Sequence, residues 1–290
     1  MRDIVIPTFY SLSRPISELL EDLAGLGVRL IELHGDAPDI HIDLTNESAV
    51  SAVARIVERL PLDVHSVHCA FSAPSEQAWD ISQPDAGGRA TALCRRMKVI
   101  ASAAMLGAQH VIVHPGVRDR GKQRLARCRE SLAQLVETAR EHGIRIAVEN
   151  LPPDHLGGSL AEIRWILDGL DPEVAGFCLD TGHAMLGLDD PCDYIRGLGD
   201  RLCAIHWHTN NCKEDAHLFP GADQTDWGDF FAALDEVGYD RPVTIEAVPP
   251  ETTALADAIR EARAALREKR APRLSGRNCR ADGEHVGREF

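Results

Sequence analysis

Short apolar runs alternate with stretches of helical period along nearly the whole chain. Asp3 to Ile6 is an apolar strand closed by Pro7, and Ser11-Leu-Ser13-Arg-Pro15 predicts a capped, proline-initiated helix. Ile16, Leu19, Leu20, Leu23 and Leu26 form that helix's apolar face, and Gly27 stops it. In Val28 to His34, Glu32 and His34 share one face of a strand and Leu33 takes the other. Val50, Val53, Ile56, Val57 and Leu60 mark a second helix, and Asp63 to Phe71 a third strand. A long polar loop, Ser72 to Gly88, precedes a helix with Leu93, Met97, Ile100 and Ala104 on one face. Strand four is Gln109 to Gly116, strand five runs from Ile144 to Glu149, and strand six ends at Asp180. The helices between them carry Leu125, Cys128, Leu132, Leu135 and Val136, then Leu160, Ile163, Ile166 and Leu167. Cys203 to His208 and Val243 to Glu246 are strands seven and eight. A last helix, Ala254 to Lys269, bears Leu255, Ala258, Ile259, Ala262 and Leu266.

Strand starts thus recur at intervals of roughly 25 to 45 residues over eight rounds. This beat predicts an α/β protein, a (β/α)8 TIM barrel, as a single domain over residues 1–270. A doubly wound open sheet fits less well, because no Gly-x-Gly-x-x-Gly follows the first strand. Residues 271–290 have little apolar content and are expected to be a disordered tail.

Composition narrows the picture further. The 290 residues hold 45 acidic and 31 basic side chains, a net charge of −14 that favours solubility and weighs against broad polyanion binding. No run approaches membrane-spanning length and no cleavable apolar leader opens the chain, so a cytoplasmic location without membrane partners is expected. The eight cysteines are scattered without Cys-x-x-Cys spacing, as buried or surface thiols are.

The chemistry gathers at strand ends. Three core-like runs close on Glu149, Asp180 and His206-Trp-His208, and a fourth closes on Glu246. Burying such groups is costly unless they are paired or hold a metal. His68, His114 and His183 fall at or just past other strand ends, with Asp215-Ala-His217 in the loop after strand seven. A lone strand-end His is more often a hydrogen-bonded polar group, and His34 is read that way. So many at equivalent positions point instead to a shared cation above the carboxyl end of a barrel. Carboxylate and imidazole without thiolate suit Mn²⁺, Co²⁺, Mg²⁺ or Zn²⁺. His206 and His208 face one side and Trp207 the other; His208, nearer the strand's carboxyl end, is the favoured ligand.

Together, Val-His68-Cys-Ala, Val-His114-Pro-Gly, Val-Glu149-Asn, Leu-Asp180-Thr-Gly-His183, His206-Trp-His208 and Ile-Glu246 resemble the xylose-isomerase-like TIM-barrel superfamily over about residues 1–268. That superfamily includes sugar and sugar-phosphate isomerases and epimerases, and apurinic-site endonucleases. In its epimerase branch the resemblance implies one divalent ion held by Glu149, Asp180, His208 and Glu246, the two glutamates also serving as the acid/base pair. In the endonuclease branch it implies three zinc ions, with His68, His114, His183, Asp215 and His217 as further ligands. The loop Leu151-Pro-Pro-Asp-His-Leu156 departs from the endonuclease's Ala-Gly-Gln-Gly type, and Gly221-Ala-Asp223 stands where it has Gly-Glu-Gly. Arg118, Arg120 and Lys122 form a small basic group, read as a solvated helix start that a sugar phosphate could use. These features rank a metal-dependent isomerase or epimerase of a small carbohydrate first and an abasic-DNA phosphodiesterase second. A non-catalytic binder comes third. Family members often associate, so a homo-oligomer is an open expectation.

Overall fold

A computed structural model describes residues 2–71, 76–118, 123–187, 189–211, 213–220, 227–247 and 254–271. Eight strands form one closed parallel barrel in chain order, β1 pairing with both β2 and β8. They are β1 Ile4–Pro7, β2 Leu30–His34, β3 Asp63–His68, β4 His110–Val113, β5 Arg145–Glu149, β6 Ala175–Asp180, β7 Leu202–His206 and β8 Val243–Thr244. Around it lie α1 Ile16–Gly25, α2 Glu47–Val57, the short α3 Glu76–Trp79, α4 Ala86–Met105, α5 Gln123–His142, α6 Leu160–Leu167, α7 Thr181–Leu186, α8 Pro191–Leu198, α9 Trp227–Glu236 and α10 Leu255–Glu268. The predicted (β/α)8 barrel is the observed fold.

Local boundaries depart from expectation for identifiable reasons. The first helix begins at Pro15 without a side-chain cap, and Leu26 is 37% exposed beyond its last turn, so neither Ser13 nor Leu26 plays the role expected of it. A 3-10 turn, Thr8–Ser11, fills the space between β1 and α1. Asn46 caps α2 by accepting from the amides of Ser48 and Ala49. The segment expected as a polar loop contains α3, and two helices, α7 and α8, separate β6 from β7. The expected disorder of the tail concerns residues that, from 272 onward, lie outside those described.

Two layers make the core. The outer one packs apolar helix faces, such as Leu19, Leu20 and Leu23 of α1, against the barrel wall. The inner one is a small cluster of Ile112, Ala147, Cys178, Cys203 and Ala204 inside the barrel. Trp207 points outward as alternation demands, lying 5.5 Å from Trp227 and Phe231 and 6.2 Å from Phe230 between ring centroids. Aromatic pairs of this kind contribute about 1 kcal/mol each beyond the area they bury. This packing holds the end of β7 with its histidines turned inward. Register completes the arrangement: His34 pairs with His68, and Asp180 with His206. A shift between Ile31 and Glu32 brings Glu32 opposite Ser66.

Candidate active site

The carboxyl ends of the strands carry the site. Glu149 ends β5, Asp180 ends β6 and His206 ends β7, with His208 and Glu246 two residues past β7 and β8. Ligand atoms of Glu149, Asp180, His206 and Glu246 all lie within 4.8 Å of one another, and all four residues are buried. His206 Nδ1 is 2.7 Å from Glu246 Oε2, 3.1 Å from Glu149 Oε1 and 3.9 Å from Asp180 Oδ2. On one flank His68 Nε2 and His114 Nε2 approach Glu149 Oε2 at 3.2 and 3.1 Å. On the other, His183 and His217 approach a single oxygen of Asp215, at 3.0 and 3.1 Å. His208 Nε2 meets both oxygens of Asp180 at 2.9 and 2.8 Å, and its ring stacks 4.5 Å from His217. All ten residues predicted from the sequence therefore converge.

Asp180 does two things at once. Its Oδ1 accepts from the His183 amide at 2.6 Å, capping α7, while the same carboxylate faces His208. Asn150 locks this corner by donating to the Asp180 carbonyl and accepting from its amide. At Gly182 a Cβ would collide with the His208 ring, so only glycine there lets the imidazole lie flat on the turn.

His34 is the hydrogen-bonded strand end expected of it, yet it is fully buried and stacks 4.5 Å from His68, which makes it part of the site wall. Glu32 was not among the predicted ligands. It accepts from Ser66 at 2.6 Å and approaches His34 Nε2 at 3.1 Å and His206 Nε2 at 3.4 Å. The signal that marks the other ligands, a charged residue on the inward face at a strand's end, was present in β2 as well.

At Glu32, Glu149, Glu246, His206 and His183 burial opposes the charge, and the neighbours overrule it. Against desolvation, His206 holds Glu32 well below the usual carboxylate range, and His206 with His114 does the same to Glu149. Glu246 is likewise lowered to about 2, despite its burial, chiefly by His206. Against desolvation, Cys178 with Glu246, Glu32 and Glu149 raises His206 well above the usual imidazole range, and Asp180 with Asp215 and Glu149 raises His183 to about 10. For His114 burial prevails, keeping a neutral donor beside Glu149.

These groups fit a divalent cation. Glu246 Oε2 is buried without a hydrogen-bond partner although an imidazole nitrogen stands 2.7 Å away, the spacing of ligands converging on a common centre. The donors are carboxylates and imidazoles, while Cys178 and Cys203 stay inside the barrel below them. Of the basic group after β4, Arg118 is spent on both oxygens of Glu162, at 2.8 and 2.7 Å, and on the carbonyls of Pro153 and His155. Arg120, Lys122 and Gly221-Ala-Asp223 lie outside the described residues.

The profile of the family described as xylose isomerase-like TIM barrel matches residues 20–269. The chain belongs to this family. An uncharacterised protein of Methanocaldococcus jannaschii is 26% identical over 238 residues, 79% of this chain and 80% of its own. An inosose dehydratase of Lacticaseibacillus casei is 28% identical over 136 residues, covering 40% of this chain and 44% of that one. A probable endonuclease 4 of Acholeplasma laidlawii is 27% identical over 109 residues, 36% of this chain and 37% of that one. Among solved structures, a D-tagatose 3-epimerase-like protein has the same barrel at TM-score 0.77 and 22% identity, covering 92% of this chain and 96% of that one. An L-ribulose 3-epimerase has it at 0.75 and 22%, with coverage of 93% and 96%. The family match takes in every strand of the barrel except β1.

Proposed function

We propose that this protein is a divalent-metal-dependent isomerase or epimerase of a small carbohydrate, moving a proton at a carbon next to a carbonyl. One observation carries the reading: Glu149 at the end of β5 and Glu246 just past β8 meet as buried carboxylates around one centre with Asp180. Glu149, Asp180, Glu246 and His208 would hold the ion. A bound divalent ion would supply the Lewis acidity that stabilises an enediolate's charge. The chain's own residues do the rest. One glutamate takes the proton from carbon and the other returns it, from the opposite face for epimerisation. Asp180, held by Asn150 and the α7 cap, keeps the cluster's geometry. The epimerase relatives by fold support this assignment of substrate class.

In deuterated water the metal-loaded protein should exchange the carbon-bound proton of a ketose or keto-sugar. Glu149→Gln or Glu246→Gln should reduce exchange by at least about 1,000-fold at unchanged fold, since a carboxamide keeps the volume but not the base. Retention of exchange by either variant would exclude the assignment.

A second reading, metal-assisted phosphodiester hydrolysis, draws on the His183–Asp215–His217 and His68–His114–Glu149 groups flanking the centre. Cleavage of an abasic duplex by a sample that exchanges no sugar proton would put it first. No helix among the described residues is long and apolar enough to cross a membrane.

A further inference from the structure

The ladder between β6 and β7 ends at Asp180 and His206, because the chain turns into α7 at Thr181. His208, the proposed ligand, lies two residues beyond that last pair and is fully buried. Among the described residues its N–H and carbonyl have no backbone partner. A buried peptide left in that state would cost stability and let the residue shift. The Thr181 hydroxyl takes the place of the missing strand. It donates to the His208 carbonyl at 2.6 Å and accepts from the His208 N–H at 3.1 Å. The same oxygen stands 3.2 Å from the His206 carbonyl, a longer contact for its single hydrogen. Thr181 is itself fully buried.

The His208 ring is weakly held by its own second nitrogen. A ligand imidazole is usually oriented by a hydrogen bond there. Nδ1 reaches the Thr209 carbonyl only at 3.4 Å, long for such a bond. The other restraints come from the turn around Thr181. The ring rests on Gly182, the residue after it, and Nε2 meets the carboxylate of Asp180, the residue before it. Asn210 closes the far side by donating to the Gly182 carbonyl at 2.5 Å. Thr181 thus stands where the segments carrying Asp180 and His208 are joined.

We propose that Thr181 is a positioning residue of the metal centre: its hydroxyl clamps the His208 backbone to the first turn of α7 and so fixes the imidazole at the cation shared with Asp180. This rests on the metal-dependent reading of the site and on His208 as ligand. The residue type suits the task. A hydroxyl both donates and accepts, so one group can serve an N–H and a carbonyl at once, and β-branching keeps χ1 stiff. Valine has the same shape and can do neither. A hydroxyl that merely satisfied a buried peptide would change stability and leave the folded protein's affinity for metal alone.

The clamp is tested on full-length protein stripped by chelator and titrated in a calorimeter with whichever of Mn²⁺, Co²⁺, Mg²⁺ and Zn²⁺ wild type binds best. Melting curves of the stripped samples report whether each variant folds. Thr181→Val should bind the metal about 10- to 100-fold more weakly than wild type, and Thr181→Ser within about threefold of it. Unchanged affinity in Thr181→Val, whatever its melting temperature, marks a purely structural hydroxyl and overturns the proposal. Should Thr181→Val not fold, Thr181→Ser still decides, because a folded serine variant that loses about 10-fold or more shows that the hydroxyl is not what holds the ligand.

The route of action is tested by adding Thr181→Val to two backgrounds. On His206→Ala the loss of affinity should recur in full. On His208→Ala it should shrink to about twofold or less, since nothing remains for the hydroxyl to position. A full loss on His208→Ala places the effect elsewhere and overturns the proposal. Wild type that takes up none of the four ions removes the metal reading and the clamp's role with it, whereas wild type that binds metal no better than Thr181→Val does removes the clamp alone.

Discussion

His206 and His208 lie two residues apart on the inward side of the same chain segment, and they divide the carboxylates between them. His206 stands between Glu149 and Glu246 with Glu32 behind it, whereas His208 faces both oxygens of Asp180 and shares Glu246's neighbourhood with His217. A ligand imidazole usually has its second nitrogen held by a carbonyl or carboxylate. Thr209 O at 3.4 Å serves His208, and Glu32 serves His206. With His208 as ligand, His208→Ala should weaken Mn²⁺ binding by more than 100-fold, and His206→Ala, which removes a neighbour of the ligands, by about 10-fold. Calorimetric titration of the stripped variants decides, and the reverse order would move the ligand to His206. The ligand carboxylates were legible in the sequence because a charged residue closing an apolar run stands out against the core pattern. The buried Arg96, whose guanidinium donates to the Trp79 carbonyl, was not, since on α4 it occupies one of the helix's apolar-face positions, and one polar residue within a helical period carries no sign of where its head goes.

The strands announced themselves by apolar runs, but their ends did not, and β4 shows why. The sequence pattern ran it on to Gly116, but its pairing stops at Val113, because Pro115 has no amide hydrogen to give a ladder and Gly116 takes φ +127. The short helices α3, α7 and α8 were missed for a related reason. Their form is set by tertiary packing and caps, such as Asp190 accepting from the Cys192 amide, more than by a long period. The opposite end of β4 carries a different burden. His110, beside His65 at 5.3 Å between ring centroids, is 4% exposed and its Nδ1 has no partner. Burial, with the charges of His65, Arg241 and Arg145, pushes its pKa down to about 3, against some help from Glu32. His65 is also lowered by burial. Because the folded value lies below the unfolded one, the unfolded chain takes up the proton first. Stability is complete above about pH 6.5 and is lost as pH falls toward 3, at about 1.4 kcal/mol per pH unit for this one proton. His110→Leu should remove one proton's worth of that slope, measured by urea unfolding between pH 7 and pH 4 at roughly unit intervals. An unchanged slope would show that His110 is not the group responsible.

Across the whole molecule, the site is a concentration of buried charge set on a barrel whose other layers are apolar, so the cation and the fold should stabilise each other. Glu32, Glu149, Asp180 and Glu246 are each no more than 2% exposed. In the stripped protein they rely on imidazolium partners such as His206 and His183 for compensation. A divalent ion that binds only the folded state adds RT ln(1 + [M]/Kd), about 2.7 kcal/mol when the free metal is 100 times its Kd. For a chain of this length that corresponds to a rise in melting temperature of about 5 °C. Binding should also release protons as the imidazolium groups give way, so the shift should grow between pH 6 and about pH 8. Counting equivalents in the same experiment separates the two readings of the site. Saturation at one ion per chain leaves His183, Asp215 and His217 as an ion-pair cluster on the rim, and alanine there should cost little metal affinity. Saturation at three would mean that the Asp215 and His68–His114 groups are ligands in their own right, and it would favour phosphodiester chemistry. No rise in melting temperature with Mn²⁺, Co²⁺, Mg²⁺ or Zn²⁺ would remove the metal, and the proton-transfer mechanism that depends on it.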